Sequence, residues 1–142
     1  MTDTIFSIVV FIFGAAIGSF LNVCIYRIPR KKSIINPPSA CPACEKPIRF
    51  YDNIPIVSYI ILRGKCRDCG ARFSFRYFLV ELVTAAIFMM IYRRWGLSYE
   101  FFIQIFFVAI PIVISFIDYD FQIIPDILSV GGMVAGLIIS FM

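Results

Sequence analysis

The sequence predicts an all-α integral membrane protein of about four transmembrane helices with one polar, four-cysteine loop. Hydrophobic residues make up 61% of the chain and charged residues 15%, whereas about 25% of the residues of a soluble domain are charged. Of the 13 lysines and arginines, 11 lie between positions 27 and 76. The apolar residues form four long runs, at Ile5–Tyr26, Tyr77–Tyr92, Phe101–Ile117 and Ile127–Met142.

The first run is long enough to cross a membrane. It has no charged residue, and its 22 residues extend about 33 Å as a helix. A cleaved signal peptide would begin with positive charge, but the only charged residue before this run is Asp3. The run also exceeds the apolar length of about 7–15 residues that is usual for a signal peptide. We therefore expect a retained helix. The other runs are close to the lower limit of about 17 residues for a span.

The distribution of lysine and arginine predicts the orientation. Positively charged loops stay in the cytoplasm, so the basic segment 27–76 is expected inside, 93–100 outside and 118–126 inside. The chain then divides into a first transmembrane helix (1–26), a cytoplasmic basic loop and a transmembrane helical part (77–142). Contact with the lipid bilayer accounts for the net charge of +4, so no nucleic-acid partner is needed.

The loop carries two CxxC pairs, Cys41/Cys44 and Cys66/Cys69, separated by 21 residues. This separation lies at the edge of the usual spacing of four-cysteine zinc sites, and the chain has no histidine that could replace a thiolate. Disulfides and free thiols are the alternatives, and a cytoplasmic loop disfavours disulfides. The sequence therefore predicts a structural Zn²⁺ in a zinc-ribbon-like loop. The fifth cysteine, Cys24, is expected to pack inside the first helix.

Several polar or small residues lie within the apolar runs. Gly14 and Gly18 form a GxxxG pattern in the first run, and Gly132 and Gly136 repeat it in the fourth. Such patterns let helix backbones approach closely, so we interpret them as packing residues. Asn22, near the inner end of the first run, is expected to hydrogen-bond across helices.

Four acidic residues lie near the predicted cytoplasmic boundary. Glu81, five residues into the second run, either has a function or extends towards Arg76 or water. Asp126 is expected to cap the fourth helix, and Asp120 is expected to be solvated. Asp118 directly follows the third run, so its carboxylate is expected at or just inside the membrane boundary. Partial burial there would let it exchange protons with water or a substrate amide.

Taken together, these features resemble the bacterial type IV prepilin peptidases, which are multi-pass aspartyl proteases of the inner membrane. The resemblance implies cleavage of a short basic leader from prepilins or pseudopilins at the cytoplasmic face, in type IV pilus assembly or type II secretion. Many members also N-methylate the new terminus with S-adenosylmethionine. The matching segments, in chain order, are Gly18–Pro29, Cys41–Cys44, Asp52–Tyr59, Arg63–Cys69, Phe75–Glu81 and Ile117–Asp126.

The resemblance also implies roles for individual residues. Asp118 matches the first of the family's two catalytic aspartates. Acidic residues suit a basic leader better than the basic loop does, so Glu81, Asp120 and Asp126 are secondary candidates for substrate binding. The cysteine loop matches the region associated with methyl transfer and substrate handling.

The family's second aspartate, in a Gly-x-Gly-Asp motif, has no counterpart in this sequence. An aspartyl protease needs two carboxylates, one as base and one as acid. The 77–142 part is therefore expected to be incomplete: either a C-terminal half is missing, or a short protein pairs with a partner or with itself as a homodimer. We expect the first. The alternative function is a catalytically incomplete binding or scaffold module of a pilus or type II secretion system.

Overall fold

The computed structural model describes residues 2–140, and these residues are predominantly helical. No strand occurs between residues 2 and 140; two isolated bridges join Ala40 to Pro47 and Lys65 to Arg72. The last two residues of the fourth predicted run lie outside the described residues. The helices are α1 (Thr2–Arg27), a 3₁₀ helix (Phe50–Asn53), α2 (Val57–Ile61), α3 (Phe75–Trp95), α4 (Tyr99–Phe121) and α5 (Asp126–Ser140).

Three of these helices have the length and apolar composition needed to cross a membrane. They are α1, of which Asp3–Arg27 form a span of 25 residues, α3 with 21 residues and α4 with 23. The fourth predicted run forms α5, an apolar helix of 15 residues, which is shorter than the roughly 17 residues that a span needs. The all-α membrane architecture is therefore confirmed, with three helices of spanning length and one shorter apolar helix.

The closest helix contact is between α1 and α3, and the glycines of α1 make it possible. A Cβ atom at Gly14 would lie 2.8 Å from the Cα atom of Ala85, and one at Gly18 would lie 2.7 Å from the Cα atom of Glu81. Both distances are too short for non-bonded carbons. The order of these contacts shows that α1 and α3 are antiparallel, and it confirms the packing role of the first GxxxG pattern.

The second GxxxG pattern, in α5, does not bring two backbones together. Cβ atoms at Gly132 and Gly136 would contact only the side chains of Ile110 and Phe107, each at 3.5 Å. These are ordinary van der Waals distances. This pair therefore packs against side chains of α4, as expected of packing residues, but without the close backbone approach found between α1 and α3.

Helix α4 runs antiparallel to α3, with its C-terminal half against α1 and the start of α3. Phe101, at the start of α4, packs with Val10 and with Phe88 near the far end of α3. Because lipid is as apolar as these side chains, van der Waals packing holds the helices together in a membrane. The other cluster, at the loop end, contains Leu21, Cys24, Ile25, Val80, Ile112, Val113 and Ile117, which confirms Cys24 as a packing residue.

Candidate functional site

The four cysteines of the loop converge on one point. All four Sγ atoms lie within 4.8 Å of one another, and the Sγ atoms of Cys41 and Cys69 are 3.7 Å apart. Tetrahedral zinc with Zn–S bonds of about 2.3 Å places its sulfurs about 3.8 Å apart, so this spacing fits the predicted metal. The thiols are free rather than joined as disulfides. We call this group the cysteine cluster; it could hold a metal ion.

Two similar turns carry the cysteine cluster. In the first, Cys41 N–H donates to Lys46 O at 3.0 Å, and Glu45 N–H donates to Cys41 O at 2.8 Å. The same bonds recur 25 positions later, from Cys66 to Ala71 and from Gly70 to Cys66. Glu45 and Gly70 occupy equivalent places and have φ values of 58° and 72°. Each turn therefore requires one left-handed residue in order to aim its two thiols at the same point.

The backbone of the first turn prepares Cys41 to ionise. Burial raises the pKa of the Cys41 thiol, but hydrogen bonds from the backbones of Cys44 and Ala43 and from neighbouring thiols lower it to about 7. At Cys69 a backbone hydrogen bond from Ala71 lowers the pKa, whereas burial and hydrogen bonds with the other three thiols raise it to about 12. A bound metal would replace the thiol protons.

Ion pairs connect the two turns to each other and to the 3₁₀ helix. Arg67 binds Asp52 through two nitrogens, with Nη2–Oδ1 at 2.6 Å and Nε–Oδ2 at 2.9 Å. Hydrogen bonding to Arg67 lowers the pKa of the Asp52 carboxyl. Asp68 lies 3.8 Å from Lys46 and 3.9 Å from Arg49. The basic residues beside the cysteines are thus partly neutralised by acids, which the sequence did not predict.

Glu81 is held by the loop rather than by Arg76. Its Oε2 accepts a hydrogen bond from the Ile56 N–H at 2.7 Å, and the residue is 8% exposed. Ile56 has φ 65° and ψ −54°, which is strained for a β-branched residue. Arg76 instead forms an ion pair with Asp120. Between residues 2 and 140, no cation pairs with Glu81.

A cavity of about 710 Å³ lies between the C-terminal half of α1, α3 and the loop. Glu81, Ser19 and Asn22 line it together with Tyr26 and Tyr77. The Asn22 Nδ2 donates to the Tyr77 carbonyl oxygen at 2.9 Å, which confirms the predicted bond across helices. The Asn22 Oδ1 is buried and has no hydrogen-bond partner in the described part of the chain.

The predicted catalytic aspartate lies at the C-terminal end of α4. Asp118 is exposed rather than partly buried as expected, because it lies in the last turn of α4. Its backbone carbonyl accepts the Gln122 N–H at 2.8 Å where the helix ends. The ion pair between Asp120 and Arg76 joins this end of α4 to the start of α3. Asp118 therefore lies at the same end of the helices as the loop. Asp120 is paired rather than simply solvated, contrary to expectation.

Asp126 begins α5 but does not cap it as predicted. The N–H groups of Leu128 and Ser129 bond to the carbonyl oxygen of Pro125, at 3.0 and 3.2 Å. Asp126 is thus the first helical residue, and its charge favours the helix dipole from within the first turn. The structure places Glu81 at the cavity and pairs Asp120 with Arg76. Among the described residues, no hydrogen bond or ion pair joins the side chains of Asp118 and Asp126.

These features define a helical membrane protein with a four-cysteine loop and acidic residues at the loop end of its helices. Residues 12–95 match the family model described as Bacterial Peptidase A24 N-terminal domain. Since this match covers more than half of the chain, the chain belongs to that family, and the resemblance predicted from its motifs is confirmed.

The most similar curated relatives include proteins named Prepilin leader peptidase/N-methyltransferase. The one from Myxococcus xanthus is 42% identical, over 96% of this chain and 41% of its own length. Those from Bacillus subtilis and Neisseria gonorrhoeae are 41% and 36% identical, covering 83% and 89% of this chain and 48% and 53% of theirs. The chain thus spans about half the length of these relatives. No solved structure matches it.

Proposed function

We propose that this chain takes part in leader-peptide cleavage of type IV prepilins or pseudopilins, with N-methylation of the new terminus by S-adenosylmethionine. The observation that carries the proposal is family membership, together with 42% identity to a relative named for both activities. The proposed place is the inner membrane of a bacterium, with the 27–76 loop in the cytoplasm, because that loop carries 11 of the 13 basic residues.

Asp118 is the proposed catalytic residue of this chain. Its carboxylate is exposed at the loop end of α4, so water and a peptide segment at the membrane surface can reach it. Peptide hydrolysis by carboxylates requires one to accept a proton from water and another to donate one to the leaving nitrogen. We assign Asp118 one of these roles. The second carboxylate is proposed to come from a further segment, a partner or a second copy of the chain.

The other acidic candidates differ in whether their carboxylate is free to bind a basic substrate. Asp120 is engaged by Arg76, which suits a residue that positions the end of α4 next to α3. Asp126 is exposed in the first turn of α5, and opposite charges steer association. We therefore propose Asp126, rather than Asp120, as a contact for a basic leader, and assign Glu81 to the cavity.

The cysteine cluster is proposed to hold one structural Zn²⁺. Four sulfur ligands leave no open coordination position, so the metal would stabilise the loop rather than act on a substrate. Cys41, Cys44, Cys66 and Cys69 supply the ligands, and the 3.7 Å spacing of two of their sulfurs supports a tetrahedral site.

Mass spectrometry of a prepilin incubated with the protein in membranes tests the proposal. We would compare this chain alone with a chimera in which the remaining part of the Myxococcus xanthus relative follows it. Leader removal by the chimera is expected, and Asp118→Asn should abolish it. Asp3→Asn is the matched control, because Asp3 lies in the first turn of α1, at the end of the helices away from the loop. This change should leave leader removal intact. Cleavage by the Asp118→Asn chimera would contradict the assignment, and binding of prepilin without cleavage would favour the scaffold alternative.

A further inference from the structure

Two buried polar groups that line the cavity each lack a partner among the described residues: Glu81 has no cation, and the Asn22 Oδ1 has no hydrogen-bond donor. Glu81 is 8% exposed and Asn22 is 3% exposed, and both line the same cavity. The Glu81 carboxylate receives hydrogen bonds from the Ile56 N–H and the Ser19 side chain, whereas the Asn22 Oδ1 receives none from the described residues. A buried carboxylate without a cation and a buried acceptor without a donor are both unfavourable.

The chemistry that would satisfy both groups is a primary ammonium. It carries one positive charge for Glu81 and several N–H donors, one of which suits the Asn22 Oδ1. A sulfonium carries the charge but no hydrogen-bond donor, and an anion would be repelled by Glu81. A hard metal ion needs about six oxygen ligands. Of the other two acidic residues that line the cavity, Asp52 is already bound by Arg67 and Glu45 is exposed in the first cysteine turn.

The walls of the cavity indicate what the ammonium is attached to. Apolar and aromatic side chains line the cavity, among them Val23, Tyr26, Ile54, Leu62 and Phe73. Arg27, Lys32 and Lys65 also line it. Arg27 donates to the carbonyl oxygens of Ser33 and Pro37 rather than to Glu81. The volume of about 710 Å³ is within the usual range for a ligand pocket and accommodates a residue with a large apolar side chain. An amine that continues into an apolar group fits this arrangement.

We infer that Glu81 and Asn22 form an ammonium-binding site for the free amino terminus that leader cleavage creates. This inference rests on the proposed function, because hydrolysis of the leader bond releases a new primary amine and N-methylation needs such an amine as acceptor. Glu81 and Asn22 are positioning residues in this assignment. They hold the nitrogen at the membrane end of the cavity, and the rest of the cavity holds the first side chain.

Binding of phenylalanine amide to the chain in lipid nanodiscs, measured by calorimetry at about pH 6.5, tests the inference. At this pH an α-amino group with a pKa of about 7.7–8.0 is protonated. N-acetylphenylalanine amide, which lacks the charge, is the matched probe, and empty nanodiscs correct for partition into lipid. The free amine is expected to bind at least about tenfold more tightly, because a charged hydrogen bond is lost on acetylation.

Glu81→Gln should weaken binding of the free amine about tenfold or more, since the charge is lost while the amide oxygen still accepts from Ile56. Glu100→Gln is the matched control, because Glu100 lies at the start of α4, at the end of the helices far from the cavity. This change should leave binding unchanged. Circular dichroism confirms that each variant is folded. Equal binding of the acetylated probe to the unmodified chain, or undiminished binding to a folded Glu81→Gln variant, would overturn the inference.

The cleavage assay separates this inference from the proposed function. If the chimera cleaves prepilin but does not distinguish the two probes, the ammonium site is wrong and the proposed function remains. If the chain distinguishes the probes but the chimera cleaves no prepilin, the proposed function is wrong, and the site binds an ammonium from another source.

Discussion

Gly18→Ala places one methyl group where α1 and α3 are closest. A Cβ atom there would lie 2.7 Å from Glu81 Cα, 3.2 Å from Thr84 Cβ and 3.2 Å from the Val80 carbonyl oxygen. Non-bonded carbons are most favourable at about 3.5–4.0 Å, so the helices must separate locally by about 1 Å. Val80 and Thr84 are fully buried and cannot turn away. Overpacking of this kind lowers the free energy of unfolding by about 1–3 kcal/mol.

Unfolding of the purified chain by SDS in mixed micelles, followed by circular dichroism, measures this effect. The matched control is Gly131→Ala in α5, where no atom of the described residues lies within 4 Å of the new Cβ. Alanine is a better helix former than glycine by about 1 kcal/mol, so the control should be as stable as the original chain or slightly more stable. Equal unfolding midpoints for Gly18→Ala and the original chain would refute the close contact of α1 and α3.

Two further predictions concern the cysteine cluster. Metal analysis of the purified chain should give about one zinc per chain, and the Cys41→Ser and Cys66→Ser double change should abolish it; a folded chain without metal would contradict the zinc assignment. Gly70→Ala should destabilise the loop by roughly 1 kcal/mol, because φ is 72° and the new Cβ meets nothing within 4 Å among the described residues. Gly70→Ala should therefore speed zinc release to a chelator, and Glu45→Gly, at the equivalent position of the first turn, should slow it. A change of both release rates in the same direction would refute the equivalence of the two turns.

The loop and the helices depend on each other at the membrane boundary. Glu81 belongs to α3 but binds the Ile56 N–H of the loop, and Ser58 both accepts from Ile54 N–H and donates to Tyr51 O, at 3.0 Å each. A strained residue such as Ile56 persists only where its surroundings fix it. The cysteine cluster and Glu81 therefore hold the same loop from two sides, and the cavity lies between them.

Patterns local in the chain were sufficient for much of this protein. The apolar runs predicted α1, α3 and α4, because any long apolar segment must satisfy its backbone internally in lipid and so becomes a helix. The CxxC spacing predicted the cysteine cluster, since two short turns can aim four thiols at one point. The Gly14 and Gly18 pair predicted close helix packing, although the same pattern at Gly132 and Gly136 did not produce it.

The tertiary structure alone decided which polar groups meet. Arg76 is nearer in sequence to Glu81 than to Asp120, yet it pairs with Asp120 because the antiparallel packing of α3 and α4 brings their ends together. Glu81 turns instead to Ile56, 25 residues earlier in the chain. Sequence determined the helices, the cysteine cluster and the family, because these depend on local periodicity and spacing. The burial of Glu81 and Asn22 beside one cavity depends on where distant segments pack, and no local pattern encodes that position.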